Sequence, residues 1–484
     1  MIAATALLAL ARMASAVAVA GPGAGFGDAQ APMGARQAAS VDILDALFDP
    51  STFDADEVPS EHEWRAIAEE QDRELCFVPP SGDDGDDDAL AIAKALNGRC
   101  SEKSIVVLPG PLYHMRSNMT TTDLRDVRLH VFGRLLWSTD IDYWLSVSMP
   151  VGFQNQSTVW YFGGDDVVWD GHGVGTLDGN GQVWYDWARG EGNLPRRPMM
   201  INWRGFTNSV VRRQRFVQSQ MWTMATTWSS NLLFEDIYVN NTSNSVHSTL
   251  NTDGIDTIWT DNVTLNRWDV TCGDDNVALK RNSTNIFLYD SVFHHGQGIA
   301  IGSLAQYNNE IDIVDTFVAR GVHMTDTTYA IYLKTWGGNS TGYPPNGGGG
   351  GLGHATNILV EDIVLDRGRN TPFFLWQCEN YEGSMGEDCH SSKFSFSNLA
   401  FRRVSGTMRD DVVAAAKFRC SAAAGGCHDV EVDDFSVTNV GSDEILDQWW
   451  CENVHGASGF SCIEFPPEEV TTLENTRPDG DDAQ

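Results

Sequence analysis

Three carboxylates recur in this chain at a spacing that could do chemistry. Asp253 stands in NTDGID, and Asp274 and Asp275 stand in CGDDN, twenty-one and twenty-two residues further on. One hydrophobic run bounded by turn residues, TLNRWDV, lies between them, so the chain makes one lap and returns beneath its starting point. GQGIAIGS follows after another lap, and YLKT after a longer one. Laps stacked at the spacing of neighbouring strands, roughly 4.8 Å, make residues one lap apart neighbours. Asp253 then stands above Asp274 and Asp275, with Gln297 beneath them and Tyr332 and Lys334 lower still. Two or three carboxylates facing one groove meet the requirement for breaking a glycosidic bond, one protonated to release the leaving oxygen and one ionised to activate water. Taken singly, NTDG and GDDN read as Asx and Gly turns of a repeat. Together, at one-lap spacing, they favour chemistry. Adjacent strand residues point to opposite faces, so Asp274 and Asp275 share a groove only if the strand ends or bulges beside Gly273.

The elements that must position these groups are short β runs opened by Asn, Asp or Ser, such as NLLFEDIYV, NVTLNRWDV, NIFLYDSVF and NILVEDIVL. Asn208, Asn231, Asn262 and Asn285 are separated by 23, 31 and 23 residues, a coil-like period. Runs rich in Val and Ile between Gly and Asn turns predict an all-β, single-domain parallel β-helix of about ten coils rather than a sandwich. The segment FVPPSGDDGDDDALAIAKALNG predicts an Asp N-cap and a capping helix over about residues 89–96. Its Asp run lacks the spacing and terminal Glu of a calcium loop. The organisation expected is a signal peptide over residues 1–20, an N-terminal extension over 21–75, a catalytic β-helix over 76–465 and a disordered acidic tail over 466–484.

A formal net charge of −34 excludes a nucleic-acid binder, and no apolar run after the N-terminus is long enough to span a bilayer. An apolar start ending in small residues, together with seven N-x-S/T triplets, predicts a secreted glycoprotein. Nine cysteines fit an oxidising compartment and leave one unpaired. The short spacings suggest Cys76 with Cys100, Cys378 with Cys389, Cys420 with Cys427 and Cys451 with Cys462, leaving Cys272 odd. The Gly-rich stretch over residues 342–353 lacks the context of a phosphate loop and is expected to narrow one end of a groove. Trp336, Tyr343 and Trp376 are candidates to stack on sugar rings, although Trp is also common in cores.

The set NTD, GDD, G-x-G-I-A-I-G-S and x-L-K-T, with GTLDGNGQVWYD upstream, resembles glycoside hydrolase family 28, which includes the polygalacturonases and rhamnogalacturonases. The resemblance extends from about Cys76 to about Ser442 and implies a right-handed, pectin-lyase-like solenoid and a secreted inverting hydrolase of pectic polysaccharide. It implies Asp274 as general acid, with Asp253 and Asp275 positioning and deprotonating water, at a carboxyl separation of roughly 6.5 to 9.5 Å. Asn251, Lys280, Gln297, Tyr332, Lys334 and Trp336 are the expected substrate-binding residues. No metal or cofactor is expected, and the protein is expected to be a monomer. Two positions depart from the polygalacturonase pattern: Gln297 stands for its His, and Tyr332 for its Arg. Loss of the guanidinium that suits a uronate carboxylate predicts an exo-acting enzyme on rhamnogalacturonan or galacturonan ends, releasing terminal rhamnose or galacturonate. A non-catalytic glycan-binding β-helix explains the fold but not the carboxylate spacing, and a pectate-lyase-like β-helix would need calcium and a basic residue near the sugar C5 proton, so calcium-independent activity with no unsaturated product discriminates against it.

Overall fold

The computed structural model describes residues 58–379 and 390–466. The expected signal peptide, most of the extension, nearly all of the acidic tail and the Cys378 with Cys389 pairing lie outside the described residues. What is described is a right-handed parallel β-helix whose 24-stranded sheet coils around a single apolar column. Residues of one column come from successive coils: Ile255 pairs with Val277, Val277 with Ile299, Ile299 with Ile331 and Ile331 with Phe373. All five side chains are fully buried, so each coil closes the core of the next.

Corners are made by residues in the left-handed region. The strand Met224–Asn240 turns at Trp228, Asn231 and Asp236, with φ of 55°, 56° and 54°. Asn tolerates this conformation and adds a hydrogen-bonding amide. The periodic Asn residues therefore stack as a ladder: Asn231 Nδ2 donates to Asn208 Oδ1 at 2.9 Å, and Asn262 Nδ2 to Asn231 Oδ1 at 2.9 Å. Asn285 instead donates to Asp261 Oδ1 at 2.8 Å.

The N-terminal end is covered as expected by a helix, Asp88–Leu96, with Asp87 accepting from Ala89 N and Ala89, Ile92 and Leu96 facing the core. A second helix, Glu61–Glu70, opens on a capping box between Ser60 and Glu63. It packs Trp64 and Ala68 against Leu75, Ile105, Val107 and Phe132. Residues 75 and 76, where the expected extension meets the expected β-helix, lie together in the strand Glu74–Phe77, in which Leu75 pairs with Ile105. Disulfides join Cys76 with Cys100, Cys420 with Cys427 and Cys451 with Cys462, and Cys272 is a buried free thiol. Among the described residues no helix is long and apolar enough to cross a membrane.

Replacing Asn231 by Ala removes two ladder bonds at a positive φ. The expected loss is about 1–2 kcal/mol in denaturant unfolding, with Asn231→Gly losing less because Gly tolerates the corner. Equal losses for the two variants would show that the backbone conformation contributes nothing there.

Candidate active site

The strand Ile255–Thr271 ends just before Cys272, and the next strand, Val277–Leu279, begins after Asn276. Asp274 and Asp275 lie in the bend between them, where strand alternation no longer applies. This is the interruption beside Gly273 that a shared groove requires. Continuing the pairing of Ile255 with Val277 back by two residues sets Asp253 directly over Asp275. The pairing of Val277 with Ile299 sets Gln297 beneath Asp275 in the same way. Backbone bonds lock the stack, Gly254 N donating to Asp275 O at 2.9 Å and Gln297 N to Asp274 O at 2.9 Å.

One oxygen from each of Asp253, Asp274 and Asp275 lies within 4.8 Å of the others. This corrects the expected separation of roughly 6.5 to 9.5 Å, because register stacks these residues one coil apart rather than across a wide groove. All three are buried, Asp274 least so at 6 % exposure against 2 % and 1 % for Asp253 and Asp275. Asp253 Oδ1, Asp275 Oδ1 and Gln297 Oε1 are buried without a protein hydrogen bond among the described residues. Burial pushes the Asp253 carboxyl well above the usual carboxylate range, and the charges of Asp274, Asp256 and Asp275 push the same way.

Two ammonium groups balance the cluster. Lys280 Nζ lies 3.2 Å from Asp256 Oδ1 and 3.5 Å from Asp275 Oδ2, and Lys334 Nζ lies 3.4 Å from Asp275 Oδ2. Burial works against the Lys280 cation, yet Asp256 and Asp275 more than offset it and raise its pKa. Lys334 reaches up two coils because the position opposite it is Gly302, where a Cβ would fall 2.7 Å from Lys334 Cγ. A second group, His130, Asp170 and His172, also brings potential ligand atoms within 4.8 Å, but Arg212 and Arg213 already hold Asp170.

Several residues expected to bind substrate are placed differently. Asn251 is turned onto Asp274, donating to its Oδ2 from N at 3.2 Å and from Nδ2 at 3.1 Å. Its Oδ1 accepts from Asn193 N at 2.7 Å. Tyr332 is corrected from a sugar contact to a buried support: it packs with Tyr329, Phe374 and Trp376, and the Lys334 ammonium sits 4.6 Å from its ring centroid. Trp336 and Trp376 are each only 2 % exposed, so neither offers a face for stacking, whereas Tyr343 is 73 % exposed. Gln297 lies one coil beneath Asp275.

Three groups at the site escaped the sequence reading. Asp256, three residues after Asp253, is fully buried and raised to about 7, burial being the main cause. Its place in NTDGID was the available signal. Arg197 is buried against the cluster, its Nη1 donating to Leu250 O at 3.0 Å, and burial lowers its pKa to about 10 against the pull of Tyr185, Asp274 and Asp253. Nothing local in RRPMM marks it. The third is a hairpin, Met149–Pro150 with Ser157–Thr158, that folds over the outer face of the site-bearing strands. Its Val151 and Phe153 pack on Trp222, Ala225 and Ile258, and Gln154 Nε2 donates to Gln306 Oε1 at 2.7 Å. Gln306 Nε2 donates in turn to Pro345 O at 2.9 Å and Gly347 O at 3.0 Å, so the Gly-rich loop and the hairpin form one wall.

The family model of glycosyl hydrolases family 28 matches residues 148–462, the span that carries the wall, the carboxylates and both lysines. The chain belongs to glycosyl hydrolases family 28. An Aspergillus niger alpha-L-rhamnosidase is 43 % identical over 390 residues, covering 81 % of this chain and 90 % of that protein. An Emericella nidulans exopolygalacturonase is 33 % identical over 295 residues, covering 61 % and 67 %. The crystal structure of an Aspergillus tubingensis endo-xylogalacturonan hydrolase superposes with a TM-score of 0.68 at 22 % identity over 81 % of this chain and 99 % of that one, a likeness of fold. As a family 28 member the chain is a glycoside hydrolase of the pectin-degrading group.

The buried carboxyls give a pH-dependent stability whose sign follows from their shifts. Asp256, raised to about 7, binds a proton in the folded state that the unfolded chain has lost, so its contribution is full below the unfolded carboxylate pKa and fades as pH rises towards 7. His130 and His172, lowered to about 3 and about 4 mainly by burial, act in the opposite sense over the same window. The Asp256 effect is therefore read as a difference. The melting temperature of Asp256→Asn relative to wild type should climb between pH 4 and 7, and a flat difference would contradict the burial of an ionisable Asp256.

Proposed function

We propose that this chain is a secreted, exo-acting hydrolase that removes terminal rhamnose from rhamnogalacturonan chains. The observation that carries this reading is the cluster of Asp253, Asp274 and Asp275 together with the wall of hairpin and Gly-rich loop joined at Gln306, which in this reading closes one end of the groove. An obstructed groove admits a chain end more readily than a chain middle. Tyr332, at the position where the polygalacturonase pattern has Arg, removes a bidentate grip for a uronate and so favours a neutral terminal sugar. The 43 % identity to an alpha-L-rhamnosidase supports the same choice. Three disulfides, the signal-like start and the N-x-S/T triplets support secretion.

In this mechanism the cluster titrates as a unit and keeps one proton, held in the free enzyme on Asp253. Asp274 is the least buried of the three, and Asn251 fixes its Oδ2, so it is the carboxyl that meets the glycosidic oxygen. Passing the proton from Asp253 to Asp274 arms the acid and leaves Asp253 ionised. Asp275, paired with Lys280 and Lys334, then shares with Asp253 the water that attacks the anomeric carbon. Gln297 offers its amide to sugar hydroxyls. Inversion is the outcome of direct attack by this water. The short carboxylate spacing also suits a retaining double displacement, which is the second reading.

Asp274→Asn should lower kcat by at least about a hundredfold with the melting temperature preserved. Near-normal turnover would remove Asp274 from the acid's role. Proton NMR of the first-formed sugar decides the stereochemistry, inversion supporting the water and retention the covalent route. Incubation with rhamnogalacturonan oligosaccharides, p-nitrophenyl rhamnoside and polygalacturonate should release free rhamnose from the first two. A rapid early fall in polygalacturonate viscosity would defeat both the exo reading and the substrate.

A further inference from the structure

Against the hairpin, whose Phe153 ring lies 6.1 Å from that of Trp259, the corner of the site-bearing strands carries an aromatic stack that the reaction does not use. Trp228 and Trp259 occupy the same corner in successive coils, with φ of 55° and 48°. Their rings lie parallel, 4.3 Å apart with an interplanar angle of 8°. The stack continues through the Arg281 guanidinium, 5.6 Å from the Trp259 ring and 5.1 Å from that of Tyr307, to Tyr343, 6.4 Å from Tyr307. Trp228 is 54 % exposed and Tyr343 73 %, which is unusual for rings of this size.

One further feature separates this corner from an ordinary packed edge. The residue opposite Trp228 in the preceding coil, between the pairs Arg204 with Thr227 and Thr207 with Ser230, is Gly205. Gly205 has φ of 58°, and a Cβ there would meet nothing within 4 Å. The face of Trp228 turned away from Trp259 is therefore left uncovered. Arg204, the residue before Gly205 and opposite Thr227, carries its guanidinium over the Tyr161 ring at 5.3 Å, without a carboxylate partner among the described residues. In a chain of net charge −34, a guanidinium without a carboxylate partner among the described residues, in the coil next to the uncovered indole, sets this corner apart. A flat apolar face with a cation at its edge fits a uronate-bearing sugar, whose C–H face stacks on the indole while its carboxylate meets the guanidinium.

We propose that Trp228, backed by Trp259 and flanked by Arg204, is a surface site for a uronate-containing glycan chain, separate from the catalytic pocket. The choice of a pectic chain as occupant rests on the proposed function. The site holds the polymer against the enzyme while a chain end occupies the carboxylate pocket. Arg281, adjacent in sequence to Lys280, ties the stack to the strand that bears the cluster.

Affinity electrophoresis of the full chain through gels containing polygalacturonate or a neutral glucan tests the site, with hydrolysis of a small rhamnoside as the parallel readout. Trp228→Ala should weaken retention by polygalacturonate about tenfold, and Trp228→Tyr should restore most of it. Arg204→Ala should remove the preference for the acidic polymer over the neutral one. All three variants should hydrolyse the small substrate at the wild-type rate. Unchanged retention in Trp228→Ala, or an unchanged preference in Arg204→Ala, overturns the site and leaves the proposed function standing. Failure of every variant and of wild type to hydrolyse any substrate, with Trp228-dependent retention intact, overturns the function and leaves the site. A wild-type dimer that Trp228→Ala converts to a monomer in sedimentation would make this face a self-association surface and overturn the glycan proposal.

Discussion

Four carboxylates, Asp253, Asp256, Asp274 and Asp275, and two ammonium groups are buried together in a few stacked coils, and the rest of the molecule serves to make that tolerable. A lone buried charge is expensive, and three like charges within 4.8 Å cannot all stay ionised. The molecule meets the constraint in two ways. Lys280 and Lys334 keep Asp275 paired, and burial raises the Asp253 carboxyl well above the usual carboxylate range. The outcome is a site holding an acid and a base at once, which is what hydrolysis of a glycosidic bond asks of it.

The β-helix suits this task because its geometry is repetitive and stiff. Each coil delivers one residue to each column, so a carboxylate in one coil and a carboxylate in the next are held at strand spacing by backbone hydrogen bonds. Fixed register also lets a small residue in one coil make room for a long one in another, as Gly302 does for Lys334. The corner ladder of Asn208, Asn231 and Asn262 contributes little per bond, but it holds the twist and register on which the columns depend.

The proposed basis of substrate choice lies outside the repeat. The hairpin over residues 149–158 and the Gly-rich loop meet at Gln306, while the columns beneath hold the carboxylates. Such a division lets the groove change by insertion between strands without moving any charged group.

Much of this was legible in the sequence. The NTD and GDD motifs at one-lap spacing, the Asn period and the Asp-capped helix determined the fold, the identity of the three carboxylates and the reaction class, because in a solenoid sequence period maps directly onto spatial neighbourhood. Tertiary structure alone decided the rest. Tyr332 and Trp336 were expected at the sugar and are buried, since burial depends on what folds over a strand and leaves no mark in its own residues. Arg197 reaches the cluster from a loop about fifty residues away from Asp253, a proximity created by winding and carried by no local pattern. The carboxylate spacing and the resting place of the proton were likewise beyond the sequence, because both are set by register and desolvation, which exist only once the coils have stacked.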